Sequence, residues 1–119
     1  MTARASAGRA GEDYAAQKLT EQGYVIVARN YHSRYGEIDI IAENGAYLVF
    51  VEVKARKAGS LSSPLEAVTS QKQRRLILTA QAYLAACPSE KQPRFDVAAV
   101  TLEGNQVTGW EYVENAFLT

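Results

Sequence analysis

The chain has 119 residues, 47% of them hydrophobic and 22% charged, which is typical of one globular domain with a single core. Thirteen basic and thirteen acidic side chains cancel, so any affinity for nucleic acid must be local rather than due to bulk charge. One cysteine and one histidine exclude an internal disulfide and a zinc site built from these residue types. Because no long apolar run or secretion signal is found, we expect a cytoplasmic protein without a membrane segment.

The hydrophobic pattern predicts two helices and five strands in one domain over residues 1–119. Residues 1–7 are expected to be a loose tail, and the helices to cover Gly8–Gln22 and Ser70–Cys87. The strands are predicted over residues 24–31, 37–42, 46–56, 94–102 and 106–113. Since a helix separates the third strand from the fourth, these two should run parallel through a right-handed crossover. The fold class is therefore α/β with a mixed sheet.

The turn between the second and third strands determines which charged residues become neighbours. Asn44-Gly45 is a strong signal for a two-residue hairpin loop. That loop would place Glu37 opposite Glu52 and Asp39 diagonal to Glu52, with Lys54 on the same face. Because a register shift of one residue would reverse the faces, this arrangement depends on the loop length.

Two of these charges fall where burial is expected. The third strand is apolar on both faces over most of its length, as in central strands that are covered on both sides. Glu52 and Lys54 would cost several kcal/mol there unless something pairs them. On the first helix, Glu12 lies near the centre of the apolar face that contains Leu19. A register-setting ion pair on the strand and a first-turn role for Glu12 remain alternatives to a functional site.

The carboxylates of Glu12, Asp39 and Glu52 can converge on one cation. Oxygen ligands of this kind suit Mg²⁺ or Mn²⁺, and such a metal activates water for attack on a phosphodiester. In this interpretation the three acids are metal ligands and Lys54 assists the attacking water. Glu37 is expected to contact a ligand rather than the metal.

Basic residues near the predicted site are candidates for phosphate contacts. Residues 54–75 contain six basic side chains and Glu66 as their one acid, which predicts either a phosphate-binding patch or an ordinary solvated face. The candidate nucleic-acid contacts are Arg34, Arg56, Lys72, Arg74 and Arg75. Leu78, Ala82 and Ala85 form a second weak stripe on the second helix, which fits either a homodimer contact or exposed small residues.

Several motifs resemble known families. Asp39 followed by Glu52-Val53-Lys54 resembles the PD-(D/E)xK nuclease signature, and Glu12 is similar to the helix glutamate of Holliday-junction resolvases. More closely, GRAGE from Gly8, YGEIDII from Tyr35 and FVEVKAR from Phe50 resemble the YraN family of bacterial proteins. The resemblance implies a restriction-endonuclease-like fold with an αβββαβ core. Ile38 stands where the general signature often has proline.

We therefore expect a Mg²⁺- or Mn²⁺-dependent nuclease-like protein that acts on DNA, with branched or damaged DNA among the candidate substrates. The alternative is a nucleic-acid-binding module on the same fold whose site is inactive or needs a partner protein. A third interpretation is a scaffold protein in which the buried charges only set the strand register.

Overall fold

A computed structural model describes residues 3–60 and 63–117 of the chain. The elements are α1 (Ala3–Glu21), β1 (Val25–Ser33), β2 (Gly36–Glu43), β3 (Tyr47–Lys57), α2 (Ser70–Ala86), β4 (Gln92–Glu103) and β5 (Gln106–Val113), with a short 3-10 turn (Leu65–Ala67) before α2. The strands form one sheet in sequential order, in which β3 and β4 are parallel and all other neighbours antiparallel. The predicted mixed sheet and the parallel pairing of β3 with β4 are confirmed, and the architecture is compatible with a compact restriction-endonuclease-like core.

The first helix begins earlier than predicted, whereas the second begins at the predicted residue. α1 begins at Ala3 rather than Gly8, while residues 1 and 2 of the expected tail lie outside the described residues. α2 begins at the predicted Ser70, because the Thr69 hydroxyl caps it by accepting the Lys72 backbone N–H at 3.2 Å. No helix within the described ranges is long and apolar enough to cross a lipid bilayer.

Strand β3 is the centre of the core, as its apolar character on both faces predicts. Its residues Leu48 to Val51 are buried, because α1 covers one face of the sheet and α2 the other. The cluster on the α1 side contains Ala15, Leu19, Ile40, Val49 and Val51. The cluster on the α2 side contains Ile41, Phe50, Leu76, Tyr83 and Phe95.

The hairpin between β2 and β3 differs from the predicted one. The Asn44 side-chain oxygen accepts hydrogen bonds from the backbone N–H groups of Ala46 (2.9 Å) and Tyr47 (2.7 Å). The backbone N–H of Asn44 donates to the Tyr47 carbonyl at 3.0 Å. These bonds form an Asx turn and place Gly45 and Ala46, rather than Asn44 and Gly45, in the loop. The register therefore slips by two residues, so that Glu43 pairs with Leu48. Because the slip is an even number, each residue of β3 keeps its predicted face.

Candidate functional site

The candidate site lies where β2 and β3 separate. The ladder between these two strands ends at Ile40 paired with Val51. Beyond it, the Val53 backbone N–H donates to Asp39 Oδ2 at 2.8 Å. Ile38 packs in the cluster under α2, whereas Ile40 packs under α1, although residues two apart in a regular strand share a face. β2 therefore twists at Asp39, and the Asp39 carboxyl bridges the opening between the strands.

Asp39 and Glu52 meet in this opening as a buried acid pair. Their side chains are almost inaccessible, with residue exposures of 9% and 4%. Burial raises the pKa of Asp39 from the ordinary 3.8 to about 8, and hydrogen bonding with Glu52 and its negative charge act in the same direction. The Val53 N–H and the charge of Lys72 lower this pKa and offset part of the shift. Beside Glu52, the Asp39 carboxyl therefore favours its neutral, protonated form.

Lys72 is the cation that approaches this pair. Its Nζ lies 3.1 Å from Glu52 Oε2, and it reaches there from the first turn of α2. The same Oε2 atom is buried and has no partner in hydrogen-bond geometry, so the contact with Lys72 is an ion pair without a well-aligned hydrogen bond. Lys72, predicted as a phosphate contact, therefore lies directly against the predicted metal ligand Glu52.

Glu12 approaches the pair from α1 without joining it. Burial raises the pKa of Glu12, as does the charge of Asp39, while Arg29 and a hydrogen bond with Asn30 lower it. Within the described part of the chain, no three Asp, Glu, His or Cys side chains come together as a metal-binding group. The predicted cluster of three carboxylates is thus a pair with a third acid nearby. Glu12 lines a cleft of about 490 Å³ together with Gly8, Arg9, Asp13, Arg29 and Asn30.

The end of β3 carries two further predicted residues. Lys54 follows Glu52 by two positions in the regular ladder with β4, so the two side chains share a face. Lys54 is half-buried and makes no hydrogen bond or ion pair with any residue that the structure describes. Arg56 Nε instead donates to Thr101 Oγ1 at 3.2 Å, so part of its guanidinium is used within the sheet.

Glu37 does not take the place predicted for it. It is exposed, and its Oε2 lies 3.3 Å from His32 Nδ1 on the neighbouring strand β1. The slipped register and the twist at Asp39 remove it from the position opposite Glu52. Glu37 therefore does not lie opposite Glu52 as predicted, although its charge raises the pKa of the predicted metal ligand Glu12.

Two of the predicted nucleic-acid contacts, Arg34 and Arg75, lie at the β1–β2 turn. Arg74 and Arg75 are exposed on α2, and the Arg75 Cβ would lie 3.7 Å from a Cβ added to Gly36. Arg34 is in the turn itself, with its guanidinium carbon 4.9 Å from the Tyr35 ring centroid and Nη2 2.7 Å from the Tyr35 hydroxyl. Arg34 and Arg75 are therefore neighbours at the β1–β2 turn, and Arg74 precedes Arg75 on α2.

Sequence reasoning missed Asn30. It has a φ of +53° inside β1, between the pairs that Arg29 and Tyr31 make with β2, and its side chain hydrogen-bonds Glu12. Asparagine is enriched among the few non-glycine residues that adopt positive φ, and it is depleted in strands. An Asn within a run that otherwise favours a strand was the available signal.

A second buried charge cluster lies on β4 and is fully bonded. Arg94 donates to both Asp96 oxygens at 2.9 Å and to the Tyr24 hydroxyl at 2.6 Å. Asp96 also accepts from the Tyr112 hydroxyl at 2.6 Å and from the Asn115 N–H at 2.9 Å. Asp96 is thus a structural hydrogen-bond acceptor whose carboxyl oxygens are both occupied by protein donors.

The donor set around Asp39 suits a hard divalent cation. Mg²⁺ and Mn²⁺ bind carboxylate oxygens and complete their shells with water. Two converging carboxyls, one with a buried oxygen outside any hydrogen bond, provide such ligands. On the α1 side, the charge of Asp39 raises the pKa of Glu12, so Glu12 is a further carboxyl near this pair.

Fold and site together define an α/β protein with a mixed five-stranded sheet and a buried acid pair where two strands separate. The model of the uncharacterised protein family UPF0102 matches residues 11–100, and the chain belongs to this family, which confirms the YraN-like resemblance. A UPF0102 protein of Symbiobacterium thermophilum is 50% identical over 111 residues, covering 92% of this chain and 94% of that protein. A UPF0102 protein of Dictyoglomus turgidum is 39% identical over 112 residues, covering 92% and 95%.

Proposed function

We propose that this protein is a metal-dependent nuclease of the PD-(D/E)xK type that cleaves phosphodiesters of DNA. The observation that carries this proposal is the meeting of Asp39 and Glu52, both buried, at the opening between β2 and β3. Lys54 follows Glu52 on the same face of β3 and has no partner among the described residues. Two carboxyls that can hold a divalent metal, with a lysine beside them, are groups that metal-assisted phosphodiester hydrolysis can use.

In this proposal Asp39 and Glu52 hold Mg²⁺ or Mn²⁺, and Glu12 adds a carboxylate from α1. A metal held there would supply a Lewis acid that polarises a phosphate oxygen and lowers the pKa of a water molecule. Asp39 would have to be ionised to act as a ligand, so metal binding would compete with its protonation. The Lys54 ammonium orients the attacking water and stabilises the negative charge that develops on the phosphate.

The basic residues near the site position the nucleic-acid backbone. Arg34, Arg74 and Arg75 lie along the β1–β2 turn and α2, and their guanidinium groups match phosphate geometry. Because the chain has no net charge, this local patch has to supply the attraction, and binding should weaken steeply with salt.

Cleavage assays with Mn²⁺ on junction, flap, nicked and single-stranded DNA test the proposal. We expect cleavage of at least one substrate, and its loss in Asp39→Asn and in Lys54→Ala. Lys91→Ala is the matched control, because Lys91 pairs with Glu43 at 3.4 Å and has no part in the proposed site. If Asp39→Asn and Lys54→Ala cleave as fast as the control, the assigned roles are wrong.

A nucleic-acid-binding module is the second candidate function. It is favoured by the position of Glu12, which hydrogen-bonds Asn30 and leaves the acid pair without a third acid in a metal-binding group among the described residues. Such a module would bind the same DNA substrates with a strong salt dependence but leave them intact with Mn²⁺. A partner protein that restored cleavage would show that the site needs completion from outside.

A further inference from the structure

One feature of the site belongs to neither proposed function: the position of the Lys72 ammonium. Its Nζ lies 3.1 Å from Glu52 Oε2, and that carboxylate is only 4% exposed while the Lys72 side chain is 37% exposed. The oxygen it approaches is buried and has no aligned hydrogen bond. A cation therefore already lies on the atom that a divalent metal would bind.

Little else holds Lys72 in that position. It lies in the first turn of α2, which contains no acidic residue, and a positive charge there is opposed by the helix dipole. Its backbone N–H is already used by the Thr69 cap, which does not depend on the side chain. The ammonium can thus swing into solvent on its flexible stem without disturbing the helix.

We propose that Lys72 is a resident counter-ion that competes with divalent metal for Glu52 and is displaced when the metal binds. This inference rests on the proposed metal site. Before the metal binds, the Lys72 ammonium neutralises charge on the Asp39–Glu52 acid pair. After the metal binds, the ammonium is released and can contact a phosphate together with Arg74 and Arg75. Lys72 is thus a positioning residue whose role changes with metal binding. Metal loading and phosphate binding are thereby coupled through one side chain.

Manganese titration calorimetry without nucleic acid gives the first test. Lys72→Met keeps the aliphatic stem and removes the competing charge, so it should bind Mn²⁺ about five- to tenfold more tightly than wild type. Lys72→Gln should show the same increase in Mn²⁺ affinity, so that a folding defect in one of the two variants would be recognised.

Lys91 provides a matched control. Its side chain is 33% exposed, close to that of Lys72, and it pairs with Glu43 at 3.4 Å, a carboxylate that is 36% exposed rather than buried. Lys91→Met should leave Mn²⁺ affinity unchanged.

In wild type, Mn²⁺ should increase the rate at which an acylating reagent modifies the Lys72 amine, read by peptide mass spectrometry, and leave the rate at Lys91 unchanged.

The outcomes separate the two proposals. Mn²⁺ binding that is no tighter in Lys72→Met than in Lys91→Met, or a Lys72 acylation rate that Mn²⁺ does not raise, would overturn this inference and leave the metal site standing. No Mn²⁺ binding by wild type or by any Lys72 variant would overturn the proposed function and this inference with it.

Discussion

Two clusters of buried charge lie on the same sheet and are bonded in opposite ways. On β4, Asp96 accepts hydrogen bonds from Arg94, from the Tyr112 hydroxyl and from the Asn115 N–H. Between β2 and β3, the acid pair of Asp39 and Glu52 has one backbone donor and one lysine for two carboxyls.

The difference separates a structural cluster from a candidate functional one. A buried acid with all its acceptor sites filled contributes to a unique fold. A buried acid pair that leaves one oxygen outside any hydrogen bond costs stability. Groups with strongly shifted pKa values, as at Asp39, concentrate at functional sites. Removing one acid from each cluster should therefore have opposite effects on folding.

The largest loss of stability is expected from Asp96→Asn. It leaves the Arg94 charge buried without its counter-ion, which should cost about 3–5 kcal/mol of unfolding free energy, measured by urea denaturation. Glu114→Gln is the control, because Glu114 is 65% exposed and lies as far as 4.0 Å from Arg94. This substitution should change the free energy of unfolding by less than about 1 kcal/mol. A loss in Asp96→Asn no greater than that of the control would mean that this cluster is not structural.

Asp39→Asn should separate activity from stability. It removes a proposed metal ligand, so the rate of cleavage with Mn²⁺ should fall by more than about a hundredfold. That is more than the loss of activity seen when a residue that only hydrogen-bonds a metal ligand is removed. Above pH 8 the metal-free variant should be as stable as wild type or more stable, because the amide relieves the repulsion from Glu52. A variant as destabilised as Asp96→Asn would show that the two clusters play the same part.

The stability of the metal-free protein should depend on pH through Asp39. Its pKa is about 8 in the folded protein against an ordinary 3.8, so the unfolded chain binds fewer protons over this range. The contribution of Asp39 to the free energy of unfolding is therefore complete below pH 4 and is lost as the pH rises towards 8. Thermal unfolding with a chelator should show that the free energy of unfolding decreases by more than about 1 kcal/mol between pH 4 and pH 8, and that this decrease is smaller in Asp39→Asn. The same pH dependence in the two proteins would contradict the raised pKa of Asp39.

The smallest effect is expected at Asn30. Asn30→Gly and Asn30→Ala both remove the side chain that bonds Glu12, but only alanine is strained at a φ of +53°. Asn30→Ala should therefore be about 1 kcal/mol less stable than Asn30→Gly, while the two variants bind Mn²⁺ equally. Equal thermal stability would show that the backbone of β1 relaxes freely at this position.

Much of the fold could be predicted because local patterns and topology agree. The apolar character of β3 on both faces predicted a covered central strand, and the helix between β3 and β4 predicted their parallel pairing. The meeting of Asp39 with Glu52 could be predicted in outline because a slip of two residues preserves the strand faces.

The remaining details of the site depend on side-chain bonds that no pattern encodes. The Asx turn at Asn44 set the register, and the twist at Asp39 with its bond to Val53 removed Glu37 from the acid pair. The reach of Lys72 to Glu52 joins residues on different elements, and such a contact is fixed only by tertiary packing.

A crystal of the wild-type protein soaked in Mn²⁺ and measured for anomalous scattering tests the central claim most directly. We predict an anomalous peak between the carboxyl oxygens of Asp39 and Glu52, with the Lys72 ammonium displaced from Glu52. A map with no peak at this position, in a crystal whose Asp39 and Glu52 side chains are well ordered, would contradict the metal site.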